Sequence, residues 1–290
     1  MRSTLQDIIG KLLKNKNMPE LPEVARTVRS LNETIKGDVL DAVIVRSGRY
    51  AKHGDPSGLK EFRDDLPAKV ENVTFQGKLI IFEFISYCSG KKWWVWNTLG
   101  MSGGWRKKAS KHGHVEFKTR SLSVFFTDAR NFGTLKFTDS LEETNKKKLT
   151  IGPNHLTDHI PDSLFRERLM KYPNKTLPEV LMNQSLIGGI GNYIKAEVLY
   201  RSGISPHRLV GSLSDAEFSA LNRETGEVIR SSYARRGATI STYKDVDGYG
   251  GDFVFYFRVY GRKVCENNFT VVRETTKDKR MTHWVPQIQK

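Results

Sequence analysis

Met18-Pro19-Glu20-Leu21-Pro22-Glu23-Val24 joins two prolines, each followed by a glutamate, to an apolar stripe of helical spacing. Leu21, Val24, Val28, Leu31 and Ile35 recur at steps of three and four, which predicts a helix over 22–35. Pro22 suits the first helical position, where a missing N–H leaves nothing unpaired. Glu20 and Glu23 complement the positive end of the helix dipole. The phrase alone only starts a helix: a second copy, Leu177-Pro178-Glu179-Val180, reads the same way.

Met18-Pro19-Glu20 sets the first copy apart. If translation starts at Met18 and that methionine is removed, Pro19 carries a free secondary amine. An α-amino group titrates near neutrality, far below lysine, and a following helix N-terminus disfavours its protonated form further. Such an amine attacks carbonyl-like carbon and forms an iminium. Seventeen residues precede Met18, with Leu5, Ile8, Ile9, Leu12 and Leu13 on a helical stripe among lysines. A targeting presequence, a partner-binding helix and residues upstream of the true start all fit them. Asp7 and the scarcity of arginine disfavour a transit peptide, so an upstream start or a removable extension is expected over 1–17.

Beyond Gly37 the period changes. Residues 39–45, 70–75, 79–85, 93–97, 114–118, 122–127 and 134–137 are β-branched or aromatic, several alternate, and glycine or charged turns bound them. They read as strands, with 47–58 as a loop. One helix and then many strands predict a β-sandwich flanked by helices over 18–150. Glu142-Glu143, Lys146-Lys147-Lys148, Gly152-Pro153 and Ile160-Pro161 mark a boundary, with a linker at 151–161. From 162 the pattern is helical, over 162–171, 177–182, 191–200 and 214–235, the last capped by Ser212 or Ser214, with Glu217 three residues after Ser214 to complete a capping box. Strands return at 253–259 and 269–274. The expected class is α+β: an N-terminal sandwich, then a helical domain over 162–290 ending in a β-hairpin near 251–290.

The chain holds 47 basic and 32 acidic residues, a formal charge of +15. That excess favours a polyanion, nucleic acid before a membrane surface. Two cysteines, Cys88 and Cys265, argue against a disulfide scaffold and fit a reducing, intracellular setting rather than secretion. No apolar run approaches the roughly 18 residues that span a bilayer.

Four further motifs follow the proline start. Gln76-Gly77-Lys78 sits between two strands. Leu99-Gly100-Met101-Ser102-Gly103 and Asp128-Ala129-Arg130-Asn131-Phe132-Gly133 read as exposed turns. In Gln184–Glu197, glycines at 188, 189 and 191 let backbone approach a phosphate, and a helix start at Asn192 offers it N–H groups. No strand precedes these glycines, which excludes a dinucleotide fold. The tail from Phe257-Arg258-Val259-Tyr260-Gly261-Arg262-Lys263 onward completes the set.

In this order the motifs resemble the formamidopyrimidine-DNA glycosylase and endonuclease VIII family, over about 18–290. The resemblance implies a helix-two-turn-helix domain and a bifunctional enzyme that excises oxidised bases from double-stranded DNA and then cleaves the strand, acting as a monomer without cofactor. Pro19 would be the nucleophile at C1′ and Glu20 the general acid/base at the sugar, with Glu23 supporting the site. Lys78 would pair with a phosphate or assist at the sugar. Met101 and Phe132 would fill the space of an extruded base, and Arg130 would pair with the orphaned partner. Asn192 and Arg280 would bind phosphates. Two departures stand out: Asn131 replaces a basic residue, and Tyr193-Ile194 reverses the usual order. The finger has Cys265 alone, with Val285 and Ile288 where a last cysteine pair would fall. One thiolate makes no tetrahedral zinc site, so no metal is expected and Phe269, Val271, Trp284 and Val285 should hold the hairpin. The segment 236–251, with Tyr243 and Tyr249, resembles the base-capping loop of the formamidopyrimidine branch. A non-catalytic binder of damaged DNA is the alternative, should Pro19 not be N-terminal; an RNA-binding module fits the charge but not the proline–glutamate start.

Overall fold

The computed structural model describes residues 19–238 and 244–290. The expectations for residues 1–17, Met18 and Tyr243 lie outside the described residues. The chain divides into two compact units. One is Glu23–Thr150 with the described part of Thr242–Gly251; the other comprises the described residues up to Pro22, those of Ile151–Ser241, and Asp252–Lys290.

Helix α1 (Leu21–Ile35) opens the fold, and Gly37 at φ 84° ends it. Strand β1 (Val39–Val45), helices α2 (Gly48–His53) and α3 (Leu59–Asp64), then β2 (Ala68–Gln76), β3 (Leu79–Ser86), β4 (Lys92–Thr98), β5 (Gly103–Arg106), β6 (Gly113–Thr119), β7 (Ser123–Asp128) and β8 (Thr134–Thr138) follow. All pair antiparallel in one eight-stranded sheet ordered β5-β7-β6-β1-β2-β3-β4-β8. Phe82 on β3 nevertheless meets Phe117 on β6 at 5.5 Å and Trp105 on β5 at 5.1 Å between ring centroids. Phe137 on β8 also reaches Phe117, at 6.3 Å. Strands this far apart in the ladder touch only if the sheet curls over itself, and that curl makes the expected sandwich. Val24, Val28, Leu31 and Ile35 of α1 join this core.

Two local expectations need correction. Residues 47–58 are not all loop, because Gly48–His53 forms a helix with Ser47 before it. Strand β5 went unseen because Gly103 and Gly104 lack side chains to show alternation. Gly103 in fact sits where an added Cβ would run into the Leu99 carbonyl.

The other unit follows α4 (Leu141–Leu149) of the first and is helical: α5 (Asp162–Leu169), α6 (Leu177–Leu181), α7 (Asn192–Arg201) and α8 (Asp215–Ala234). Ser214 and Glu217 form the expected capping box of α8, and Thr176 with Glu179 forms one on α6. Tyr193 of α7 packs its ring 5.3 Å from Phe257 and 6.2 Å from Phe253. The expected strand at 253–259 is instead a 3-10 turn, Phe253–Tyr256, followed by an irregular segment. The cause lies on α7. The backbone N–H groups of Arg258, Val259 and Tyr260 all donate to the Glu197 carboxylate, at 2.8–3.1 Å, so they serve no strand neighbour. The chain ends in the hairpin β9 (Val272–Thr275) and β10 (Met281–Trp284).

Candidate active site

Pro19 and Glu20 lie immediately before α1, and both are buried. The Glu20 carboxylate accepts hydrogen bonds from the backbone N–H of Tyr193 (2.9 Å) and Ile194 (3.2 Å), in the first turn of α7. A helix N-terminus favours an anion for both its free N–H groups and its dipole. The glycines make the approach possible. A Cβ on Gly191 would overlap the Glu20 carboxylate, and one on Gly189 would meet Leu21 Cβ at 2.5 Å. The Leu21 N–H donates to the Gly189 carbonyl at 3.1 Å. Gln184 braces the loop from within, accepting from Gly189 N–H and donating to the Ile190 carbonyl, both at 2.9 Å.

This arrangement corrects one expectation. The amides at the start of α7 that the glycine pattern offered to a phosphate are turned to Glu20 for two of their number. Asn192 is tied through its side chain, with Nδ2 donating to the Met281 carbonyl on β10 at 2.9 Å. Its Oδ1 is buried and has no hydrogen-bond partner among the described residues.

Glu23, Lys78, Met101, Arg130 and Phe132 belong to the sandwich unit. Glu23 is buried on the first turn of α1. Lys78 is half-buried in the two-residue turn between β2 and β3, where Gly77 takes φ 53°. Such a φ at the first turn position matches the twist of the paired strands. Loops 99–103 and 128–133 form one structure, organised by Asp128. Its carboxylate, buried beneath them, accepts from the Ser102 hydroxyl at 2.5 Å, Arg130 N–H at 3.1 Å and Gly133 N–H at 2.6 Å. Above this anchor Phe132 stands 53% exposed, with the Arg130 guanidinium 4.7 Å from its ring centroid. An exposed ring on a braced turn suits insertion into a base stack, and the same ring in a core would not. Asn131 takes φ 57° and accepts from Arg49 N–H at 3.0 Å, so it serves the turn rather than a phosphate. In 244–251, Tyr249 is exposed and its backbone pairs with Asp245 in both directions.

The hairpin places Arg280 exposed at its tip. Val271 and Val285 are buried as expected, whereas Phe269 is 41% exposed and Trp284 packs edge-on against His207 instead. Phe269 is therefore not a core residue of the finger. Cys265 is buried beside Tyr200. Among the described residues no three His, Cys, Asp or Glu side chains gather where they could hold a metal ion. The finger does not fit a tetrahedral zinc site.

Three working residues escaped the reading of the sequence: Asp128, Lys195 and Glu197. Burial pushes the Glu197 carboxyl upward against its three backbone donors. Burial likewise lowers Lys195, whose Nζ pairs with Asp278 at 2.6 Å. A signal existed for the last two. Tyr193 to Tyr200 is buried on every side of α7, so any charge inside it had to find a partner.

Known proteins share this architecture. The formamidopyrimidine-DNA glycosylase N-terminal domain matches residues 18–135, and the H2TH domain of the same enzymes matches 151–244. Formamidopyrimidine-DNA glycosylase of Bacillus cereus is 31% identical over 282 residues, covering 94% of this chain and 99% of its own. The MutM (Fpg) protein of Thermus thermophilus superimposes with a TM-score of 0.79 at 28% identity, over 93% of this chain and 98% of that one. A Lactococcus lactis Fpg variant in complex with DNA containing Fapy-dG gives 0.82 at 26% identity, over 94% and 100%. No helix among the described residues is long and apolar enough to cross a membrane.

Proposed function

Because the chain belongs to the formamidopyrimidine-DNA glycosylase family, we propose that this DNA glycosylase excises oxidised bases from duplex DNA through a Schiff base on Pro19 and then cleaves the strand as an AP lyase. The observation that carries the reading is Glu20, fixed next to Pro19 by two amides of α7. A general acid must sit within hydrogen-bond reach of the atom it protonates, and a carboxylate braced this way holds one position. The matched region also begins at residue 18, one before Pro19.

The steps follow from those groups. The Pro19 nitrogen, an unprotonated secondary amine, forms a bond to C1′ as the bond to the damaged base breaks, and the N–H proton it then sheds goes to the departing base. Glu20, once it has taken a proton from solvent, delivers it to the ring oxygen; the C1′–O bond breaks, the sugar opens, C1′ becomes an iminium on Pro19, and Glu20 returns to its carboxylate form. That cation acidifies the 2′ hydrogens, so loss of one expels the 3′ phosphate, and a second elimination expels the 5′ phosphate. Lys78 serves a phosphate beside the lesion or the sugar itself. Phe132 and Met101 occupy the gap left by the extruded nucleotide, with Arg130 toward its orphaned partner. Asn192 and Arg280 hold phosphates. Formamidopyrimidines and 8-oxoguanine are the first substrates to assay, and oxidised pyrimidines the second. A DNA substrate puts the protein inside the cell, with the genome.

The test is borohydride trapping on lesion-bearing duplex, using a chain that begins at Pro19 beside the full 290-residue chain. The shorter chain should give a covalent protein–DNA adduct, and Pro19→Gly with its primary amine a weaker one. No adduct from the chain beginning at Pro19 sinks the mechanism. A full chain that binds lesions without an adduct, and stays unprocessed in the cell, favours the non-catalytic binder, since the Pro19 nitrogen is then an amide.

A further inference from the structure

The tip of the β9–β10 hairpin reads Thr276-Lys277-Asp278-Lys279-Arg280. Its three cations are exposed, and its one acid turns inward. Asp278 Oδ2 meets Lys195 Nζ at 2.6 Å, with the side chains 4% and 0% exposed. Asp278 Oδ1 accepts from the Thr276 hydroxyl at 2.5 Å and from the Arg280 backbone N–H at 3.3 Å. One carboxylate thus ties α7 to the backbone of Arg280.

Lys195 lies three residues after Asn192, on the same helix face. Asn192 grips the Met281 carbonyl, next to Arg280, at 2.9 Å. A single face of α7 therefore holds the hairpin at two points that bracket Arg280. The wider charges that Lys195 feels are Glu20 and Arg280. An unpaired Asp278 two residues from Arg280 would repel any phosphate that arginine receives. Buried pairing cancels that charge and sets the tip.

Stability alone gives little reason for such a pair, because a buried ion pair exchanged for apolar side chains of similar volume often costs nothing. We propose that Lys195 and Asp278 are positioning residues that aim Arg280, together with Asn192, at the DNA backbone, fixing a finger whose described residues do not make a zinc site. The proposal rests on the reading of Arg280 as a phosphate contact.

A double-mutant cycle tests it on the full chain, with a duplex carrying a reduced abasic site. Arg280→Ala should weaken binding about tenfold and flatten the log K against log [salt] slope by about one. The apolar exchange Lys195→Met/Asp278→Leu should melt near the parent temperature, yet lose affinity and slope like Arg280→Ala. The triple variant should lose little more. Should the apolar exchange unfold the domain, Asp278→Asn keeps the Thr276 and Arg280 bonds while removing the charge that holds Lys195. It should show a smaller loss of the same kind. If Arg280→Ala weakens binding but the exchange and Asp278→Asn bind with full affinity and slope, or the cycle is additive, the positioning role is wrong. If Arg280→Ala binds like the parent, the phosphate reading fails and takes the proposal with it.

Discussion

Phe132 and His283 make the same point at the scale of single side chains: burial decides what a residue is for. Phe132 is half exposed on a turn that Asp128 braces, so its ring contributes little to folding. Phe132→Ala should change stability by no more than about 0.5 kcal/mol. Stacking of an aromatic ring on a base is worth about 1–3 kcal/mol, so the same variant should bind lesion duplex about tenfold more weakly. Equal loss on undamaged duplex would refute the wedge. His283 is the opposite case, a fully buried ring 4.7 Å from Tyr260 with neither nitrogen hydrogen-bonded among the described residues. Burial first, then the charges of Arg273 and Lys195, push its pKa from 6.5 down to about 4. The folded state thus holds the neutral ring, and the unfolded chain takes the proton first. The associated stability is fully present above pH 6.5 and drains away as pH falls toward 4, on the order of 3 kcal/mol in all. The melting temperature of the parent should fall relative to that of His283→Phe as pH drops through that window. Parallel curves would show that His283 does not titrate as described. No pattern in Thr282-His283-Trp284 announces this burial, because the groups that exclude water from the ring come from elsewhere in the chain.

Element by element, the glycine turn before α7 is the most demanding piece of backbone. Gly191 has φ −128°, which any residue adopts, so its constraint is purely steric: a Cβ there collides with the Glu20 carboxylate. Gly191→Ala should therefore fold, displace Glu20 by a fraction of its hydrogen-bond length, and slow base excision by about 100-fold or more. Single-turnover rates beside melting temperatures check this, and an unimpaired rate would release Glu20 from its role. The glycines were legible in the sequence as a place of close approach. What approaches was not, since the occupant turned out to be a carboxylate 171 positions earlier in the chain. The strand expected at 253–259 failed for a related reason. Its aromatic content suits a strand, but Glu197 collects the amides of Arg258 and Val259, and of Tyr260 just beyond, so these serve no ladder.

For the whole molecule, the formal charge of +15 predicts DNA binding dominated by counterion release. The slope of log K against log [salt] should approach −0.9 for each phosphate neutralised, so affinity should fall steeply as salt rises from 50 to 200 mM. Binding indifferent to salt would remove the phosphate roles of Lys78 and Arg280 together. The sequence by itself determined the helix after Pro22, most strands of the sandwich, the capped helices and the order of the motifs. These rest on local periodicity and capping, which neighbours in sequence settle among themselves. Tertiary structure alone decided where buried charge goes: Glu20 to the amides of α7, Asp128 beneath two loops, Lys195 to Asp278, and Glu197 to the segment after the 3-10 turn. A buried carboxylate or ammonium must find donors or a counter-charge wherever the fold brings them, and no spacing along the chain encodes that partner.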